Sequence, residues 1–154
     1  GNKTTTMIFI IDNSTYVVNG EPIVMDVSPA IIENRTMLPI RYAAEPLGAD
    51  IEWDGVERKA TISLGEVKLE LWIGKSNALI NGKTVPIDAD NANVKPLIVS
   101  NRTMLPLRFV TENLGCDIEW DPVARKATIT KTGSSSGIIG KIPDISIRAN
   151  PQSG

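Results

Sequence analysis

The sequence predicts an α+β fold: two tandem repeats, each a mostly antiparallel, twisted sheet covering one short helix. Three observations carry this. A long block occurs twice. Apolar and polar residues alternate with a period of two between turn dipeptides. Each repeat holds one short helical stretch, opened by proline and closed by glycine.

Residues 34–62 read NRTMLPIRYAAEPLGADIEWDGVERKATI and residues 101–129 read NRTMLPLRFVTENLGCDIEWDPVARKATI, with 21 identities in 29 positions at an offset of 67. Upstream, Ser14–Gly20 aligns with Ser76–Gly82 at an offset of 62. The five extra residues of the second copy fall around Asp88-Ala89-Asp90-Asn91-Ala92-Asn93, a polar insertion that belongs in a surface loop. The organisation that follows is repeat 1 over residues 1–65, repeat 2 over 66–132, and a Gly/Ser linker with a strand-like tail over 133–154.

Each repeat opens on a strand, Met7–Ile11 or Val67–Ile73, and turns into a second, Tyr16–Val18 or Ala78–Ile80. Asn19-Gly20 and Asn81-Gly82 then mark hairpins, because both residues accept positive φ. A third short strand follows, Pro22–Val27 or Thr84–Ile87. The next turns, at Glu33-Asn34 and Ser100-Asn101, lead into Arg-Thr-Met-Leu-Pro. Proline disfavours α geometry at Leu38 and Leu105, so the helices begin at or after Pro39 and Pro106. They cover Ile40–Leu47 and Leu107–Leu114, with Gly48 and Gly115 as left-handed terminators. Pro46 removes a helical bond to the Tyr42 carbonyl and predicts a kinked or frayed helix in repeat 1. Two strands close each repeat: Asp50–Trp53 and Lys59–Ser63, then Asp117–Trp120 and Lys126–Thr130. Alternation places Ile51 with Trp53, and Ile118 with Trp120, on the core face.

The composition excludes much chemistry. Lys+Arg 16 against Asp+Glu 18 gives a net charge of −2, which argues against a nucleic-acid partner. With no histidine, no Ser-His-Asp or Cys-His pair and no His-ligated metal site can form. Cys116 is the single cysteine, so there is neither an internal disulfide nor a CxxC knuckle, and it reads as an inert thiol. No apolar run reaches the length of a membrane span. The sequence therefore predicts no enzyme activity, no cofactor and no metal.

Among candidate binding residues, Trp72 stands out. It shares its strand face with Lys68 and Glu70, where a large ring is unexpected, and its copy-one counterpart is Ile10, with Ile8 opposite Glu70. Trp72, Ile8 and Ile10 form the predicted ligand or partner patch, or the face on which the two units pack. Arg41/Glu45 and Arg108/Glu112 read as helix-surface ion pairs. Glu52, Asp54, Glu119 and Asp121 lie on exposed strand faces, without a pocket to raise a pKa. The Asp88–Asn93 loop has oxygen ligands but lacks the glycine and the bidentate glutamate of an EF-hand. In the tail, Ile142, Ile145 and Ile147 recur in a strand pattern. They predict docking on a sheet edge of the same or a neighbouring chain, and with it tail-mediated self-association.

The duplicated block N-R-T-M-L-P-[IL]-R-[YF]-x-x-E-x-L-G-x-D-I-E-W-D-x-x-x-R-K-A-T-I resembles the copper amine oxidase N-terminal-like, or stalk, domain family. The resemblance spans nearly all of residues 7–131. It implies an antiparallel sheet wrapped around one helix per unit, and a secreted or cell-wall setting in Gram-positive bacteria. The copper and quinone of the family name belong to a separate domain. The function so implied is a non-catalytic spacer or interaction module of a secreted or cell-surface protein. Its partners would be neighbouring modules of the same polypeptide or a surface protein. The alternative is a carbohydrate-binding module for cell-wall or plant polysaccharide, using Trp72 or a partly exposed Trp53 and Trp120.

Overall fold

The computed structural model describes residues 3–133. Fourteen strands and two short helices run in the order β1 (Lys3–Ile10), β2 (Thr15–Val18), β3 (Glu21–Val24), β4 (Ala30–Ile32), β5 (Arg35–Pro39), α1 (Arg41–Ala44), β6 (Asp50–Asp54), β7 (Lys59–Leu64), β8 (Val67–Trp72), β9 (Asn77–Ile80), β10 (Lys83–Pro86), β11 (Leu97–Val99), β12 (Arg102–Pro106), α2 (Leu107–Asn113), β13 (Asp117–Asp121) and β14 (Lys126–Gly133). Mostly antiparallel sheets with two short helices make this an α+β fold. The turn chemistry explains the local pattern. Asn19-Gly20 and Asn81-Gly82 take φ of 51° and 85°, and 51° and 82°, the mirror-image geometry that matches strand twist. Glu33-Asn34 and Ser100-Asn101 are also left-handed at both positions, which is the turn role their asparagines suggest.

The sheets do not follow the repeats. One five-stranded sheet has the order β13-β14-β1-β2-β3 and the other β10-β9-β8-β7-β6, while a four-stranded sheet runs β11-β12-β5-β4. Every sheet thus draws strands from both halves of the sequence. The expectation of one sheet per repeat is corrected, and residues 1–65 and 66–132 hold no sheet of their own. The physical reason is exposure. A free β1 would leave the apolar side chains Met7 and Phe9 and a row of backbone groups uncovered, and β14 supplies the missing neighbour. The pairing is long, from Lys3 opposite Gly133 to Ile10 opposite Lys126. It also takes Gly133, expected at the start of the linker, into β14. The rest of the tail, including Ile142, Ile145 and Ile147, lies outside the described residues.

The two halves are arranged around a pseudo-two-fold axis between Leu38 and Leu105, which are equivalent positions and face each other where β5 pairs with β12. Two ion pairs obey the same symmetry. Arg35 reaches Asp88 across the halves, and Arg102 reaches Asp26. Each guanidinium holds its partner carboxyl below the usual carboxylate range. Met7, Phe9, Met37, Leu38, Ile62, Leu69, Leu71, Met104, Leu105 and Ile129 are almost fully buried in one shared core. These residues come from all three sheets, so the layers enclose a single apolar interior.

Candidate functional site

The helices position the most distinctive surface. α1 is a single α-turn that continues as a 3-10 turn over Glu45–Leu47, because Pro46 has no N–H to offer the Tyr42 carbonyl. The Tyr16 hydroxyl donates to that carbonyl instead, at 2.8 Å. Burial of Tyr16 pushes its phenol up to about 12. α2 has Asn113 where α1 has Pro46, and it continues as an α-helix to that residue. Gly48 and Gly115, at φ 81° and 89°, then release the chain into the edge strands β6 and β13.

Along each helix and its following edge strand lies a groove. The groove beside α2 has a volume of about 520 Å³ and is walled by Trp120, Arg108 and Glu112 from one half and by Ile31 and Arg35 from the other. Its counterpart beside α1, of about 500 Å³, is walled by Trp53, Arg41, Glu45, Ile98 and Arg102, the equivalent residues. The two grooves are one design used twice, and each needs both halves of the sequence. Arg41 and Arg108 pair with the glutamates four residues on, at 3.5 and 2.8 Å.

Trp53 and Trp120 are 46% and 38% exposed, which corrects their assignment to the core. The alternation was sound as far as it went, since Ile51 and Ile118 are half-buried on that face. Position in the sheet overrides it. β6 and β13 are edge strands, so each ring has a strand neighbour on one side only. The residues opposite, Ala60 and Ala127, are too small to cover an indole. The signal for this was the pairing of Trp with Ala across the hairpin, which needs the register to be read.

Trp72, Ile8 and Ile10 are all half-buried, but they do not share a sheet: Trp72 is on β8 and the isoleucines are on β1. The pseudo-symmetry sends these equivalent strands to different sheets. Trp72 already has partners. Its Nε1 donates to Glu57 at 3.2 Å, and the Lys59 ammonium, which also pairs with Glu70, sits 5.5 Å from the ring centre.

Glu52, Asp54, Glu119 and Asp121 are exposed, and the Asp54 and Asp121 carboxylates cap their own turns by accepting backbone N–H bonds. In the inserted loop, Asp88 is held by Arg35 and Asn91 donates to the Glu33 carbonyl of the other half, so the loop works as a clasp. Copper does not fit the donor set. The chain has no histidine. Cys116 is buried and its thiol is pushed up to about 11 by burial, far from a ready thiolate ligand. Among the described residues, no three Cys, Asp or Glu side chains converge on one point. No helix among them is long and apolar enough to cross a membrane.

No curated protein matches the chain. Residues 17–129 match the copper amine oxidase N-terminal domain as one continuous stretch through both repeats. With most of its length matched in this way, the chain belongs to the copper amine oxidase N-terminal domain family, a non-catalytic, stalk-type domain.

Proposed function

We propose that this chain is a non-catalytic interaction module of a secreted or cell-wall-associated protein, made of two tandem copies of one unit closed on each other. It acts by presenting surface, and it transforms no substrate. The observation that carries this reading is the pair of half-exposed tryptophans, each set in a groove built from both halves. Large aromatic rings held on sheet strands beside paired charges resemble the anchors of binding surfaces. A second feature supports the module reading. Lys3 lies opposite Gly133, so the chain enters and leaves the described fold side by side. Neighbouring modules attached at those points would connect at one end of the fold.

Co-sedimentation with Gram-positive cell-envelope fragments tests the proposal. Wild type should sediment, and the Trp53→Ala/Trp120→Ala double variant should stay in the supernatant while its melting temperature remains close to that of wild type. Equal sedimentation of the two proteins, or none by either, counts against it.

A further inference from the structure

The wall chemistry of the grooves narrows what they take. We infer that each groove is a binding site for an uncharged polysaccharide, so that one chain carries two equivalent glycan sites; this rests on the interaction reading above and names its ligand. Three features of the grooves converge on that class.

The first is charge. The groove beside α2 is lined by two arginines, Arg35 and Arg108, against three acids, Asp88, Asp90 and Glu112. The groove beside α1 has Arg41 and Arg102 against Glu45 and Glu52. Neither has surplus positive charge for a polyanion, and the arginines are already engaged by Asp88, Glu112, Glu45 and Asp26. A ligand that must supply no charge of its own meets least resistance there. The second is the ring. Each groove offers one indole, partly open and carried on a sheet strand, with Ile31 or Ile98 also in its wall. A sugar ring presents an apolar C–H face to such a plane and hydroxyls at its rim, where fixed guanidinium, carboxylate and amide groups can meet them. The third is size. Volumes of about 500 and 520 Å³ fall in the ordinary range for small-ligand sites and leave room for a few sugar units. Because the sites are duplicated in one rigid fold, the chain would hold a polymer at two points or link two polymer strands. Either gives avidity that a single groove lacks.

The test is isothermal titration calorimetry of wild type and the groove variants, a readout that does not depend on the indoles being present. Neutral tetrasaccharides (cello-, xylo-, malto- and chitotetraose) are the probes, with polygalacturonate and a proline-rich peptide as comparison ligands. We expect at least one tetrasaccharide to bind saturably with two sites per chain. Trp53→Ala or Trp120→Ala alone should leave one site, and the double variant none. Should the double variant fail to fold, Ile31→Ser/Ile98→Ser, at exposed wall positions, addresses the same two grooves. Absence of binding by every tetrasaccharide overturns the inference, as does binding that survives the double variant. So does a polyanion or the peptide taking the grooves in their place. Groove-dependent envelope binding that no tetrasaccharide competes would leave the interaction module standing and remove only its ligand; loss of both signals removes both.

Discussion

The two helical segments occupy equivalent places and solve the same problem differently. In the first half, Pro46 breaks the α-helix after one turn, and Tyr16 supplies the donor that the Tyr42 carbonyl loses. Tyr16 also stacks on Phe9, with ring centres 4.7 Å apart, and so fills the space beside the broken helix. In the second half, Asn113 replaces the proline, and its side-chain amide reaches the equivalent Phe109 carbonyl at 2.7 Å. Ala78 stands where the first half has Tyr16, and Leu71 where it has Phe9. Helix breaker, compensating hydroxyl and aromatic stack thus occur together, and all are missing together. A duplicated fold tolerates divergence when a buried polar group left over by one change is satisfied by another.

The comparison can be broken most severely at the pseudo-axis. Leu38→Ala and Leu105→Ala each remove a fully buried side chain and should cost about 2–5 kcal/mol. If the halves are energetically equivalent, the two losses should agree in urea denaturation, and a clear inequality would confine the symmetry to the backbone. Next is a transplant. Asn113→Pro puts the helix breaker where no tyrosine can answer it, with an expected cost of about 3 kcal/mol or more. Tyr16→Phe leaves the Tyr42 carbonyl without its donor and should cost about 1–3 kcal/mol. In a Pro46→Ala background, which restores an N–H, that cost should shrink.

The reciprocal ion pairs sharpen the comparison through pH. Asp26 and Asp88 both have carboxyls held below their ordinary value of 3.8, each by its arginine hydrogen bond. A lowered folded-state pKa gives stability that is present above the unfolded value and lost as the pH falls through the folded one. Denaturation midpoints should therefore drop in that acid window, and Asp26→Asn or Asp88→Asn should each flatten part of the drop. The two variants will match only if the exposed Asp26 pair and the more sheltered Asp88 pair contribute alike. The smallest effect is expected at the grooves. Trp53→Ala and Trp120→Ala should cost nearer the about 1 kcal/mol of an ordinary substitution than the about 3–5 kcal/mol of a buried tryptophan. Thermal denaturation of the single variants checks this.

Most of the local structure is legible in short stretches of the chain. Its asparagine–glycine dipeptides set the hairpins, Pro39 and Pro106 held the residues before them extended, and Gly48 and Gly115 ended the helices. The disturbance at Pro46 followed from a missing N–H. These are short-range effects, decided by the covalent geometry of a few neighbouring residues. Which strands meet depends on long-range packing instead. Alternation tells which face of a strand is apolar, but it does not tell which strand lies beside it. The pairing of β1 with β14 joins residues at opposite ends of the described chain, and the Arg35–Asp88 and Arg102–Asp26 pairs join the two halves. Trp53 and Trp120 were misplaced for the same reason. Their side of the strand was legible, but their position at a sheet edge, opposite an alanine, depends on long-range register. The grooves could not be seen before that register was known, because neither half of the sequence contains a whole one.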